Sequence, residues 1–434
     1  MGRSSDAASK PQIIGAHGPL TAGQSKALLE QLSTEPGDAG ILKRHLAIEQ
    51  AVAESPLTTG NRTRILRDGP DAFHAIFGAI QGAKDHINLE YFILEDVESD
   101  GLHLGDLLVA KQRAGVAVNL IYDSYGSSST PTPFFERLKQ AGVNVVEFNP
   151  INPMDAKSSY SLNDRDHRKI LVVDGTTAII GGVNLSTAYQ SNPLGKSGAP
   201  EGKPAEHWRD IDLQIEGPVV AQLQALFLDH WAEQKGPPLT ISKFFPTVSP
   251  KGEEVVRIIG STPDNPTPRY YVTLLSAIRN AEKSISVTAA YFVPTHQEME
   301  DLIDAAQRGV KVRLLLPDQS DSDRATDVAH SRYSDLLEAG VTIYETHGLV
   351  LHSKAVVIDD VWSVVGSSNF DQRSVLFNDE VDAVVLGSAT AQALEQMFDD
   401  DLANTHQIDN AEWAQRPFLQ RMRQFMSRTW ESLL

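Results

Sequence analysis

The stretches "HRKILVVD", His167 to Asp174, and "HSKAVVID", His352 to Asp359, decide the fold. Each carries a histidine, a lysine two places on, a short β-branched run and a closing aspartate. Their flanks match as well, which marks an internal duplication. "DAFHAIFGAIQGAKDHINLEYFILE" (71–95) answers "RYYVTLLSAIRNAEKSISVTAAYFVPT" (269–295), "LLVAKQRAGVAVNLIYD" (107–123) answers "LIDAAQRGVKVRLLLPD" (302–318), and "FFERLKQAGVNVVEF" (134–148) answers "YSDLLEAGVTIYE" (333–345). Helical spacing of apolar residues alternates with short β-branched runs, so each half is predicted as an α/β unit with mostly parallel sheets. A pseudo-twofold axis would relate the two units. The expected organisation is a helical extension over 1–60 packed on the first half, a first half over 61–235, a proline-rich linker over 236–254 and a second half over 255–434. An insertion rich in Gly, Pro and Ser, 190–206, has no counterpart in the second half and would run close to the site.

Composition narrows the function. The chain has 434 residues, 41% of them apolar, enough for two ordinary domains or one large duplicated one. No cysteine is present, so disulfides and thiolate metal sites are excluded. A formal net charge of −19 argues against a surface built to coat nucleic acid, which needs clustered Lys and Arg, but leaves room for a local basic pocket. No run approaches the roughly 18 apolar residues of a membrane-spanning helix, and "MGRSSDAASKPQ" lacks a signal-peptide core. A soluble or peripheral protein is expected.

Each signature reads as a β-hairpin. In a strand, residues i and i+2 share a face, so His167 and Lys169 point together, as do His352 and Lys354. Asp174 lies seven residues on, about 23 Å along a strand at roughly 3.3 Å per residue, and faces the other way. Asp174 and Asp359 are therefore expected to tie down turns. A loop of about four residues would return the chain so that Asn184 falls opposite His167, and Asn369 follows His352 at the same spacing, 17 residues. Aligning "HWRDIDLQIEG" (207–217) with "NDEVDAVVLG" (378–387) sets Asp210 against Glu380 as candidate carboxylates, one orienting each histidine. Two histidines facing each other across a phosphodiester supply a nucleophile and a proton donor for the leaving oxygen. Two lysines and two asparagines supply donors to the phosphoryl oxygens. No HExxH or carboxylate cluster with metal spacing appears in the sequence, so no metal or other cofactor is expected.

These residues resemble the phospholipase D superfamily, whose two HxKxxxxD motifs stand here as His167-Lys169-Asp174 and His352-Lys354-Asp359. "RDHRKILVVDG", "GGVNLS", "WRDIDLQIEGPVV", "LHSKAVVIDD" and "VGSSNFDQRSVLFNDE" are similar to blocks of the bacterial cardiolipin synthases. The lack of N-terminal membrane spans resembles their B-type branch. The resemblance implies cardiolipin formation from phosphatidylglycerol, with glycerol released, through a phosphatidyl-histidine. It assigns His167 as nucleophile and His352 as general acid and then base. A hydrolytic phospholipase D making phosphatidic acid, a nucleic-acid phosphodiesterase and a non-catalytic membrane module are the alternatives.

The resemblance also implies a phospholipid substrate, a membrane surface rather than nucleic acid as partner, and a peripheral place on the bacterial cell membrane, with a soluble cytoplasmic or periplasmic protein as the alternative. A monomer is expected. Ser367, where the first half has Gly182, is a candidate hydroxyl donor to phosphate. Tyr91-Phe92 and Tyr291-Phe292 are read as ends of equivalent strands, with Tyr91 and Tyr291 as candidate substrate contacts at the mouth of the site. The C-terminal "RPFLQRMRQFMSRTWESLL" reads as a basic amphipathic helix, for packing or for a lipid surface.

Overall fold

The computed structural model describes residues 13–15, 18–32, 41, 45–46, 52, 55–150, 154, 161, 163–190, 208–239, 243–265, 267–320, 322–417, 422–423 and 426–427. Most of the 190–206 insertion and of the C-terminal amphipathic segment lies outside them.

The first half runs β1 (Leu57–Arg67), α1 (Asp68–Gly82), β2 (His86–Tyr91), α2 (Leu104–Arg113), β3 (Ala117–Asp123), α3 (Thr132–Gln140), β4 (Asn144–Phe148), β5 (Lys169–Val173), β6 (Thr177–Gly181), β7 (Ile211–Glu216) and α4 (Val220–Glu233). The second half repeats this as β8 (Glu254–Ser261), α5 (Arg269–Asn280), β9 (Ser284–Ala289), α6 (His296–Gln307), β10 (Lys311–Pro317), α7 (Asp323–Glu338), β11 (Thr342–Thr346), β12 (Lys354–Ile358), β13 (Trp362–Gly366), β14 (Asn378–Leu386) and α8 (Ser388–Asp401). The first sheet is ordered β1-β7-β6-β5-β2-β3-β4. The second is ordered β8-β14-β13-β12-β9-β10-β11, and antiparallel pairing of β1 with β8 joins the two.

Among the seven strands of each half, the three at one end pair in parallel and the rest are antiparallel, which corrects the expectation of mostly parallel sheets. The signature hairpins are the reason. A hairpin is antiparallel by construction, and each inserts between the parallel strands and the next antiparallel one.

Apolar side chains on one face of each sheet pack under that half's own helices. The inner faces share a third core in which Ile170, Val172 and Ile180 meet Ala355, Val357 and Val365. The halves are therefore fused by burial as well as by backbone pairing, since a strand facing helices on one side and a sheet on the other is apolar on both.

The N-terminal segment differs from its expected placement on the first half. Ile13, Ile41 and Leu46 belong to the core of the second half, and the His45 ring hydrogen-bonds Ser276 at 2.9 Å. The described part also contains a strand, Ile13–Gly15, parallel to the start of β1. Since β1 begins at Leu57 and runs alongside β8, anything added to its start is delivered to the second half.

Candidate active site

The turns come first, because they aim the strands. Asp174 and Gly175 both have positive φ, 53° and 63°, as do Asp359 and Asp360, 54° and 57°. This is the two-residue left-handed conformation that Asp-Gly favours and that matches strand twist. The Asp174 carboxylate accepts the backbone N–H groups of Lys84, Asp85 and His86, and Asp359 accepts those of Glu282, Lys283 and Ser284. Both motif aspartates thus pin the hairpin to the start of the neighbouring strand, the tying role expected from their spacing.

Register shifts by one residue from the expectation. Three residues separate Val173 from Thr177, and pairing ends at Ile170 opposite Ile180, so Val183 rather than Asn184 falls in line with His167. Asn184 is buried. Its Oδ1 accepts from Ile93 N at 3.2 Å and its amide donates to the Tyr189 hydroxyl. Asn369 lines the cavity described below.

What brings the halves together is a pair of short parallel ribbons. Arg165 and Asp166, just before His167, pair with Asn378 and Asp379 of the second half. Val350 and Leu351, just before His352, pair with Trp208 and Arg209 of the first. His167 N then donates to Asp379 O at 2.9 Å, and His352 N to Arg209 O at 2.7 Å. The residue after each acceptor is the orienting carboxylate, so the carboxylates cross between halves. Glu380 receives His167 Nδ1 at 3.0 Å, and Asp210 lies 2.6 Å from His352 Nδ1.

Around Glu380, Ser374 Oγ donates at 2.9 Å and Asn378 Nδ2 at 3.1 Å, and the Ser367 hydroxyl donates as well. Ser367 is fully buried in this role, which corrects its reading as a phosphate donor. A hydroxyl this close to a carboxylate is held by charge-assisted bonding and does not reach the cavity. Gly182 occupies the matching place in the first half, and a Cβ there would stand 2.1 Å from Asp210 Oδ1. The Tyr189 hydroxyl lies 2.9 Å from His352 Nδ1 and also hydrogen-bonds Asp210.

Burial lowers the His167 imidazole below its ordinary value; Glu380 opposes this, and the Lys169 and Lys354 ammoniums add to it. Burial alone would raise Glu380, but His167, Lys169 and Ser367 outweigh it and hold the carboxyl below its ordinary value. Asp210 is pushed up to about 6 by burial, against Lys354 and the N–H of Ile211. Lys169 falls to about 7, again through burial. Each ammonium also donates to the carbonyl of its own histidine, and Lys354 Nζ lies 2.9 Å and 3.1 Å from the two ring nitrogens of His352.

His167 and Asn369 open onto a cavity of about 590 Å³, walled also by Phe92, Tyr291 and Arg165. The Tyr291 ring is 6.2 Å from that of His352. Tyr91 is 1% exposed and sits in the core of the first half, so its reading as a substrate contact is corrected. The physical cause is register. Lys169 pairs with Tyr91, whereas Lys354 pairs with Ala289, so the two Tyr-Phe pairs are offset by two positions and Phe92 is the cavity residue.

Tyr189, Ser374, Asn378, Arg165 and Arg373 were missed from the sequence. A signal existed for the first two, since each carries a hydroxyl five residues after its asparagine. Behind His167 a buried ionic cluster joins Arg168, Glu90, His230 and Asp379, and Arg168 Nε donates to Glu380 O at 3.2 Å.

A family model described as "Cardiolipin synthase, PLD-like domain" matches residues 76–193 and 274–402, the two halves that supply these groups. The chain belongs to this family. Its cardiolipin synthase relative from Alkalihalophilus pseudofirmus is 33% identical over 415 residues, 95% of this chain and 79% of that one. The one from Geobacillus thermodenitrificans is 34% identical over 409 residues, 94% and 78%. Among solved structures, a phosphatidylserine synthase of Haemophilus influenzae superposes with a TM-score of 0.65 at 12% identity, over 90% of this chain and 100% of that one. That likeness carries the fold. Family membership makes the chain a phospholipase D-type enzyme, and no helix among the described residues is long and apolar enough to cross a membrane.

Proposed function

We propose that the chain transfers a phosphatidyl group between two phosphatidylglycerol molecules, making cardiolipin and releasing glycerol. The cardiolipin synthase relatives and the match over both halves support this reading. The observation that carries it is the crossed pair of buried carboxylates, by which each half orients the other half's histidine, with His167 on the cavity wall and the cavity-lining Tyr291 ring 6.2 Å from that of His352.

His167 Nε2 attacks phosphorus, the P–O bond to glycerol breaks, and His352 protonates the departing oxygen. The imidazole of His167 is neutral for attack because burial and the two ammoniums disfavour its cation. Glu380, firmly anionic, holds its Nδ1 proton and stabilises the imidazolium character that builds up. In the second step the acceptor hydroxyl gives its proton to His352 and attacks phosphorus, and the P–N bond to His167 breaks. Lys169, Lys354 and Asn369 meet the charge on the equatorial oxygens, so the reaction proceeds without metal. Asn184 acts one layer out, through Tyr189. Both half-sites come from one chain, so a monomer at a lipid surface suffices.

Purified full-length protein incubated with phosphatidylglycerol vesicles and excess chelator, followed by lipid mass spectrometry, tests this. Cardiolipin with glycerol is the expected outcome. Phosphatidic acid with glycerol would replace the transferase by a hydrolase, and unchanged lipid with cleavage of a single-stranded oligonucleotide would overturn both.

A further inference from the structure

The transfer reaction needs two anionic lipids in one site, on a chain whose formal charge is −19. The lysines and histidines described above account for one phosphate. The same cavity carries two more cations, Arg165 and Arg373, one from each half. They are held by the other half's backbone or by each other's neighbours. Arg165 N donates to Phe377 O at 3.1 Å, next to its paired residue Asn378, and Arg373 Nη2 donates to Asn163 O at 3.0 Å. Both guanidiniums therefore converge on the seam between the halves, on the wall that also bears His167.

Each guanidinium lines the cavity and has an acidic neighbour, Asp123 for Arg165 and Asp371 for Arg373. Asp123 pairs with Arg165 at 3.7 Å, and its carboxylate also accepts the N–H groups of Tyr125, Gly126 and Asp166. Tyr125, 64% exposed, lines the cavity with the Arg165 guanidinium 5.5 Å from its ring. Asp371, the acidic group of the lining, is buried and spends one oxygen on Ser374 N at 2.7 Å. Guanidinium forks match phosphate oxygens bidentately, and paired arginines fit a phosphodiester better than a neutral alcohol.

We infer that Arg165 and Arg373 form the subsite for the acceptor's own phosphodiester, fixing an anionic lipid whose terminal hydroxyl attacks the phosphatidyl-His167 intermediate. The inference rests on the transferase reading above. Three carbons separate the attacking hydroxyl of phosphatidylglycerol from its phosphodiester, so a subsite beside His167 holds the acceptor without crowding the reacting phosphorus. Attack forms the new P–O bond, breaks P–N and sends the hydroxyl proton to His352. Water and free glycerol lack the anion and gain nothing from the pair, so the arginines bias transfer towards lipid.

The test compares two acceptors on one donor. Phosphatidylglycerol vesicles are incubated with labelled glycerol, and cardiolipin and labelled phosphatidylglycerol are measured together by mass spectrometry. Effects on the donor cancel in their ratio. R373Q, on a half-exposed short helix, is expected to lower the ratio of cardiolipin to labelled phosphatidylglycerol about tenfold, and R165Q to a similar degree, with R373K in between. A ratio unchanged from wild type in both Gln variants overturns the inference. Wild-type protein that makes no cardiolipin overturns the transferase reading instead.

Discussion

Around His167 the orienting carboxylate is surrounded by small polar groups, with Ser367, Ser374 and Asn378 all donating to Glu380. The corresponding positions in the other half are Gly182, Tyr189 and Trp208, and there the environment is aromatic. The rings of Trp208, Tyr189 and Tyr291 lie 5.2, 6.0 and 6.2 Å from His352. The backbone device is the same on both sides, a histidine N–H bound to the carbonyl just before the other half's carboxylate. The balance of burial and facing charge decides what that carboxylate becomes. His167 and Lys169, with Ser367 donating, outweigh burial and hold Glu380 below its ordinary value, while burial raises Asp210 to about 6 against Lys354 and the N–H of Ile211. A symmetric motif thus acquires two electrostatically different histidines, as attack and proton donation require.

The widest test of that difference uses a phosphatidyl donor whose leaving group needs no proton, such as a p-nitrophenyl ester. H352A should still release p-nitrophenol and accumulate a phosphatidyl adduct visible by intact-protein mass spectrometry. H167A should lose both by about 10³-fold or more. An adduct in H167A and none in H352A would exchange the two roles.

Swapping the hydroxyl position between halves sharpens the comparison. G182S forces a Cβ into Asp210 Oδ1, so His352 loses its partner's position, and kcat is expected to fall about 10- to 100-fold. S367G removes one donor from Glu380 and should cost about 1–3 kcal/mol in urea unfolding with only a few-fold loss of kcat. Equal kcat losses would mean that the halves are interchangeable.

The smallest effect is one of sign. Asp210 is raised above its ordinary 3.8 in the folded protein, so the stability it contributes is present below that value and lost as pH rises through about 6. Glu380 is lowered, so its contribution is present above its ordinary 4.5 and lost as pH falls through the folded value. Chemical unfolding at pH 3.5 to 7 should therefore show the wild-type advantage over D210N shrinking with pH, by on the order of 2–3 kcal/mol. The advantage over E380Q should grow. Parallel trends in the two variants would remove the electrostatic distinction.

Much of this is legible in the sequence. His167, Lys169, His352 and Lys354 stand in a repeated motif, and strand periodicity alone turned Asp174 and Asp359 towards the turns they tie. Asp210 and Glu380 emerged from aligning the strands that follow. The errors share a cause. Tyr91 and Asn184 were placed by matching letters or by loop length, and a slip of one or two residues along a strand moves a side chain between core and cavity. Ser367 was read by its chemistry without its neighbour, Glu380.

The chain by itself determined that there are two halves, each with a histidine-lysine hairpin and a carboxylate strand, because duplication and strand alternation are local properties that spacing records. Only the tertiary structure decided which carboxylate serves which histidine, and that Arg165 and Arg373 meet in one cavity. Those facts depend on two short parallel ribbons between segments far apart in sequence, Arg165 with Asn378 and Trp208 with Val350. Backbone pairing of that kind uses N–H and C=O groups that every residue has, and so it leaves no signature in the side chains.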